Sequence, residues 1–125
     1  MVEEERGRGF LTETDRKYLR GEMEYSPQVE RNRRGEIRKR VENAVKDFSV
    51  VAENLETRDR EQVFSKDTKS LRDGITNALY FLYLGSLEMR MDFARSVEDA
   101  VERAEYDYHL RNRGATVEAD AEFDV

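Results

Sequence analysis

The segment RNRRGEIRKR, residues 31–40, carries six basic side chains and one acidic side chain in a protein whose formal net charge is -6. Lysine and arginine neutralise phosphates, so a basic segment in a helix is a candidate surface for nucleic acid. A solvated helix laced with salt bridges is the alternative, because long helices also carry many charges. The candidate nucleic-acid contacts are Arg31, Arg33, Arg34, Arg38, Lys39 and Arg40.

The placement of these charges around a helix favours the solvated scaffold. At about 100° per residue, the six basic side chains encircle the helix instead of lining one face. Pairs in which an acid precedes a base by four residues stabilise a helix by a few tenths of a kcal/mol each. This helix contains three of them, which are Glu30–Arg34, Glu36–Arg40 and Glu42–Lys46. We therefore expect a scaffold, with nucleic-acid contact as the alternative.

A second cluster, near the C-terminal end, has residue types that bind metals. Glu98, Glu102, Glu105 and His109 are spaced by 4, 3 and 4 residues, and His109 is the single histidine. Helical di-iron proteins use inward-facing acids with a Glu-x-x-His spacing, whereas this cluster lies roughly 110° from the apolar stripe of its helix. We predict a solvated acidic face. The sequence also lacks a glycine-rich phosphate loop and a nucleophile elbow, so we predict no enzyme, no catalytic residue, no metal and no cofactor.

The composition limits the fold and the compartment. With 125 residues, 40% of them charged, and a single proline, the chain favours one all-α domain of long helices. The absence of cysteine excludes disulfides and thiolate chemistry and fits a reducing cytoplasm. The N-terminal segment MVEEERGRGFL lacks the features of a secretion signal. The longest apolar run, ALYFLYL at residues 78–84, is far shorter than the roughly 20 residues that cross a bilayer.

Local signals place the helices that carry these clusters. Thr12 and Asp15 have the spacing of a capping box, which predicts a short helix over residues 12–23. Ser26 and Pro27 are typical of a second helix start. Apolar residues of that second helix are spaced by 4, 3, 4, 3 and 4, and they are Ile37, Val41, Ala44, Phe48, Val51 and Leu55. A short third helix is predicted over residues 58–64, and a fourth over residues 68–111.

The lengths of the long helices predict self-association. At about 1.5 Å per residue, the fourth helix measures roughly 65 Å and the second roughly 45 Å. The overhanging apolar stripe must be buried by the first helix, by folding back at a kink near Gly85, or by a second subunit. We predict a helical hairpin or bundle, with two long and two short helices, that dimerises. The candidate interface residues are Ala78, Leu82, Met89, Phe93, Val97 and Ala104.

The chain ends are predicted to lie outside the helical domain. Residues 1–9 are predicted as a flexible lead-in, residues 10–111 as a single helical domain, and residues 112–125 as an acidic, disordered tail. The tail ends in VEADAEFDV, whose alternation also suits a strand that docks on a partner's sheet edge. Tyrosines of the last helix could form a stacking platform for single strands, but at helical spacing they are more typical of a core or an interface. They are Tyr80, Tyr83, Tyr106 and Tyr108.

Three motifs in a fixed order carry a resemblance. F-L-T-x-x-D-R-x-Y-L-x-G-E begins at Phe10, the arginine-rich helix follows, and R-D-R-x-x-V-F begins at Arg58. Over residues 10–64 the chain resembles a family of small haloarchaeal proteins of unknown function. The resemblance implies no activity. It implies a cytoplasm of very high salt, where a Debye length of roughly 3 Å or less weakens charge-driven attraction to DNA.

Together these observations predict a small, cytoplasmic, non-enzymatic helical module that acts in protein association or oligomerisation. A homodimer is the expected form, and the identity of any other protein partner stays open. No membrane and no small-molecule substrate is expected. The alternative is a DNA-associated regulatory protein that uses the basic start of the second helix.

Overall fold

The computed structural model describes residues 7–112. Over this range the chain forms five helices and no strand, so the predicted all-α class is confirmed. The helices are α1 (Glu13–Leu19), α2 (Pro27–Asn54), α3 (Thr57–Ser65), α4 (Thr68–Glu88) and α5 (Phe93–Asn112). Residues 1–6 of the predicted lead-in and residues 113–125 of the predicted tail lie outside the described residues, and Asn112 is the last residue of α5.

Both ends of α1 are fixed by short-range hydrogen bonds. The Thr12 hydroxyl accepts the Asp15 N–H at 3.0 Å, and the Asp15 carboxylate accepts the Thr12 N–H at 3.0 Å, so the predicted capping box is confirmed. At the other end Gly21 adopts φ +81°, and its N–H donates to the Tyr18 carbonyl. Because this left-handed glycine closes the last turn, α1 ends at Leu19, and the predicted end at residue 23 is wrong.

The helix α2 begins where Ser26 and Pro27 predict it. The Ser26 hydroxyl accepts the Val29 N–H at 3.4 Å, and Pro27 is the first helical residue, where its missing N–H loses no hydrogen bond. The helix continues for 28 residues. The break before α4 also has a cap, because the Asp67 carboxylate accepts the Ser70 N–H at 3.2 Å.

The fourth predicted helix is two helices, so the prediction of two long and two short helices is wrong. The chain turns at residues 89–92 and not at Gly85, which lies inside α4. Arg90 has φ 58°, its N–H donates to the Leu87 carbonyl, and the Met91 N–H donates to the Ser86 carbonyl. This is the hydrogen-bond pattern that usually requires glycine at the left-handed position. Arg90 therefore adopts a strained conformation that ends α4.

The chain divides into two compact units, residues 1–63 and residues 64–125. In the first unit the described buried residues are Ile37 of α2 together with the charged side chains of Asp15 and Arg16. In the second unit a turn joins α4 to α5, and the two helices contact each other beside it; we call this helix–turn–helix segment the hairpin. The predicted single domain over residues 10–111 stays a prediction. None of the five described helices has an apolar stretch long enough to span a membrane.

Candidate functional site

Asp15 is the most buried side chain of the first unit, with no solvent exposure. Its two carboxylate oxygens are shared between its own helix and α2. One oxygen accepts the Thr12 N–H and a hydrogen bond from Arg40, and the other accepts one from Arg33 at 3.3 Å. We call Asp15, Arg33 and Arg40 the Asp15 clasp. It holds α1 on α2 through residues that lie 18 and 25 positions apart in the sequence.

Aromatic side chains extend the clasp on the side of Arg33. The Arg33 guanidinium lies 5.5 Å from the centre of the Tyr25 ring, a distance at which a cation and a ring face attract each other. The Tyr25 ring lies 5.9 Å from the Tyr18 ring of α1. Arg33 thus contacts two residues that precede α2, Asp15 and Tyr25, and these contacts fix the orientation of its side chain.

The charge state of Asp15 follows from these contacts. Burial alone would raise the pKa of this carboxyl group, because a charged form is less stable away from water. Interactions with the Thr12 backbone and side chain and with Arg40 outweigh that effect, so the pKa of Asp15 lies below its ordinary value. Asp15 is therefore a carboxylate at neutral pH.

The clasp contains more positive charge than its one carboxylate balances. Arg16, next to Asp15, is also buried, and its guanidinium donates to the Leu11 carbonyl at 3.2 Å. Within residues 7–112, the buried Nε atoms of Arg16 and Arg33 have no hydrogen-bond partner. Removing Asp15 would therefore take away the carboxylate that Arg33 contacts and leave Arg40 with the exposed Glu36, at 3.8 Å.

The structure separates the six basic candidates into two groups. Arg33 and Arg40 belong to the clasp, and Arg34 pairs with Glu30 at 3.0 Å. The three predicted acid-first pairs all form, because Glu36–Arg40 is 3.8 Å and Glu42–Lys46 is 2.8 Å. The remaining basic side chains, Arg31, Arg38 and Lys39, are exposed. We call them the outer basic face.

The sequence interpretation missed the role of Asp15. It explained this residue as a helix cap only, and it treated Arg33 as one of several surface charges. Local spacing carries no signal for this contact, because Glu30 and Glu36 lie three residues before and after Arg33 and are possible partners within its own helix.

In the second unit, α4 and α5 meet close to their turn. The Tyr83 and Phe93 rings lie 5.3 Å apart, and Ser86 is buried nearby on α4. Farther along α5, Val97 and Val101 are exposed, although they continue the apolar stripe of this helix. A shallow groove beside the turn is lined by Thr76, Leu79, Tyr80, Tyr83, Phe93 and Ala94. The hairpin thus leaves much of its apolar surface uncovered.

Residues 78–84 of α4 are apolar on all sides of the helix and are exposed. Residues 74–87 contain no charged side chain. The large apolar side chains in this stretch are each between 37% and 68% exposed. They are Ile75, Leu79, Tyr80, Phe81, Leu82, Tyr83, Leu84 and Leu87. An exposed apolar surface of this kind is typical of an interaction site.

The structure places the predicted interface residues on this hairpin. Ala78, Leu82 and Met89 are exposed on or just after α4. On α5, Val97 and Ala104 are exposed, whereas Phe93 is half-buried against Tyr83. The turn at residues 89–92 divides the predicted long helix, so the length mismatch from which dimerisation was predicted is absent. The exposed apolar surface is the observation that now supports it.

The acidic cluster of α5 is not gathered into a site. Glu98, Glu102 and Glu105 are exposed, and the His109 ring lies 5.6 Å from the Tyr108 ring. Among the described residues, no three His, Cys, Asp or Glu side chains are placed to hold a metal ion. Tyr106 and Tyr108 are exposed at the same end of α5, away from the groove that Tyr80 and Tyr83 line.

Comparison with known proteins identifies a family. A family model described as a domain of unknown function, DUF8102, matches residues 10–125. The match includes residues 10–64, over which the sequence resembles a family of unknown function, and it continues to the end of the chain. No curated protein matches, and no solved structure matches. The prediction of a family without an assigned activity is confirmed.

Proposed function

The chain belongs to DUF8102, a domain of unknown function, and we propose that it is a non-enzymatic association module. In this proposal the α4–α5 hairpin pairs with the hairpin of a second copy, and the two hairpins form a helical bundle. The observation that carries the proposal is the uncharged, exposed surface of α4 between residues 74 and 87.

The size of this surface supports association. Phe and Tyr side chains bury about 150–250 Å² each when they are covered, and α4 carries three of them that are half or more exposed among its eight exposed apolar side chains. Summed around the whole helix, the exposed area of these eight side chains is then on the order of 800 Å². The side of α4 that faces one partner is part of this total, and a stable interface uses about 800 Å² from each partner.

The chemistry of the surface supports a second copy as the partner. Because α4 offers no charge over fourteen positions, its partner must supply an apolar surface of similar length. A second copy of the chain supplies the same stretch, related by a two-fold axis. The open hairpin also leaves the apolar faces of Val97 on α5 and Leu82 on α4 unfilled, and two hairpins can fill each other as in a four-helix bundle.

Mixing two versions of the chain tests this function. A tagged chain and an untagged chain are unfolded together, refolded and passed over an affinity resin for the tag. The untagged chain is expected to co-purify. Phe81→Glu and Leu82→Glu are expected to abolish co-purification, because each change would bury a carboxylate in the interface.

A matched control separates the interface from general effects of a new charge. Phe48 of α2 is 68% exposed, and it lies in the first unit. Phe48→Glu is expected to leave co-purification unchanged. The proposal is overturned if Phe48→Glu abolishes co-purification and both α4 variants retain it. The interface would then lie on α2.

A cytoplasmic location and a salt-rich source belong to the same proposal. The absence of cysteine supports a reducing compartment. Apolar association is also suited to high salt, because salts that are excluded from protein surfaces strengthen it while they screen ion pairs. The alternative function, a DNA-associated regulator, depends on the outer basic face.

A further inference from the structure

We infer that the C-terminal segment, residues 113–125, docks on the groove beside the α4–α5 turn of its own chain, with Phe123 as the side chain that fills the groove. The segment lies outside the described residues, and its sequence alone suggested a disordered tail or a strand on a partner's sheet edge. The inference concerns the second unit alone and does not depend on the proposed dimer.

The groove is an apolar surface that the described chain leaves open. It is lined by Thr76, Leu79, Tyr80, Tyr83, Phe93 and Ala94, none of which is charged. Tyr80 is 68% exposed and Leu79 is 48% exposed. Exposed apolar surface of this kind is typical of a binding site, and its occupant must be apolar where it enters the groove.

The groove lies on a side of α4 that the proposed dimer does not use. At about 100° per residue, Tyr80 and Tyr83 lie within about 60° of each other around the helix. Phe81 and Leu82, through which self-association is tested, each point at least about 100° away from both tyrosines. A second copy that covers Phe81 and Leu82 therefore leaves the groove without an occupant.

The length of chain beyond α5 matches the distance back to the groove. The helix ends at Asn112, and the groove residue Ala94 lies about 27 Å back along the axis, at about 1.5 Å per residue. An extended chain covers about 3.3 Å per residue, so about eight residues span this distance. Residues 113–123 supply them and leave about three for reversing direction. Gly114, which tolerates turn conformations, is placed at the start of this reversal.

The pattern of the segment suits an apolar groove at the border of water. In an extended chain, successive side chains point to opposite sides. Ala121, Phe123 and Val125 then face the helices, and Glu122 and Asp124 face solvent. Phe123 is the single aromatic residue of the segment, and aromatic rings pack well on other rings such as those that line the groove.

Two further observations favour this occupant. Residues 7–112 contain no strand, so the segment has no sheet edge to join within the described part of its own chain. The family match runs from residue 10 to residue 125, so the segment belongs to the same family domain as the groove.

Charge opposes the docking at low salt and ceases to oppose it at high salt. The acids of the segment and Glu98, one turn after Ala94, repel each other, and salt screens this repulsion. Apolar contact is retained or strengthened under the same conditions. Docking is therefore expected to increase with salt, which suits the salt-rich setting proposed above.

A single fluorophore tests the inference, because the chain contains no tryptophan. Phe123→Trp places an indole at the proposed contact. Its emission is expected at shorter wavelength than that of indole in water, and acrylamide is expected to quench it slowly. Raising the concentration of sodium chloride should increase both effects.

Matched variants in the Phe123→Trp background locate the contact. Tyr80→Ser opens the groove, and Ala94→Gln, at another exposed position, places a longer polar side chain across it. Both should move the emission towards that of indole in water. Tyr106→Ser is the control, because Tyr106 is 65% exposed on α5 outside the groove, and it should leave the emission unchanged. Circular dichroism checks that each variant keeps its helix content.

The Leu82→Glu change separates this result from self-association. Protection of the indole is expected to persist in that background and to be independent of protein concentration, because the segment and the groove belong to one chain. Emission like that of free indole in the Phe123→Trp chain at high salt overturns the inference. So does an equal effect of Tyr80→Ser and Tyr106→Ser, or a loss of protection with Leu82→Glu.

Discussion

The Asp15 clasp predicts a large loss of stability for a substitution that changes one atom. Asp15→Asn keeps the size of the side chain and an oxygen that can accept the Thr12 N–H, so the helix cap is retained. It removes the charge that balances Arg33 and Arg40. Breaking a buried ion pair by removing one partner destabilises a protein by about 3–5 kcal/mol. Because the Arg33 and Arg40 side chains are 24% and 30% exposed, they regain part of their hydration. We expect a loss of about 2–3 kcal/mol in the free energy of unfolding.

Urea unfolding followed by far-ultraviolet circular dichroism measures this loss at neutral pH. Glu13→Gln is the control, because Glu13 lies in the same first turn of α1, is exposed, and pairs with Lys17 at 3.7 Å. The control is expected to lose less than about 1 kcal/mol. Arg40→Gln should add little in the Asp15→Asn background, because its buried partner is already missing and the remaining pair with the exposed Glu36, at 3.8 Å, contributes little.

The dependence on pH gives a second, independent check. The pKa of Asp15 in the folded protein lies below its ordinary value of 3.8. Its stabilising contribution is therefore complete above the ordinary value and is lost as the pH falls through the folded value. The difference between the unmodified chain and Asp15→Asn should be full at neutral pH and should shrink as the pH falls below 3.8 and through the lower pKa that Asp15 has in the folded protein. A neutral-pH difference below about 0.5 kcal/mol, or a difference that persists in acid, would refute the clasp.

Three further substitutions test local features of the fold, with thermal unfolding as the measurement. Arg90→Gly relieves left-handed strain at φ 58° and should raise stability by about 0.5 kcal/mol after the greater entropy of the unfolded chain is counted, whereas Arg90→Val should lower it by about 1 kcal/mol or more. Gly35→Ala should raise stability by about 0.5–1 kcal/mol, because a Cβ there meets only the end of the Arg38 side chain, at 3.6 Å. Asp92→Ala should lower it by about 1 kcal/mol, because the Asp92 carboxylate accepts the Arg95 N–H at 3.0 Å at the start of α5. A loss of stability from Arg90→Gly or from Gly35→Ala would contradict the backbone conformation assigned to that residue.

Features that depend on residues within one helix turn could be predicted from the sequence. The capping box of Thr12 and Asp15, the helix start at Ser26 and Pro27, and the acid-first pair of Glu42 and Lys46 all form as predicted. In each case the partners are three or four residues apart, so their contact follows from helix geometry. The all-α class follows from the same regularity.

Features that depend on distant residues, or on an unusual residue in a turn, could not be predicted. Asp15 reaches Arg33 and Arg40 only after α1 has folded onto α2, and nothing in local spacing indicates which arginines it selects. The turn after α4 was missed because Met89 and Phe93 are four residues apart, a spacing that imitates a continuing helix. Arg90 occupies the position where glycine would have given the signal.

Self-association through α4 is the central claim, and the molar mass of the unmodified chain in solution tests it most directly. Light scattering during size-exclusion chromatography gives this mass without assumptions about shape. At concentrations of about 1 to about 100 µM, we expect twice the 14.7 kDa of one chain, with a return to one chain for Leu82→Glu. A mass of 14.7 kDa for the unmodified chain over the whole range would contradict the proposed module.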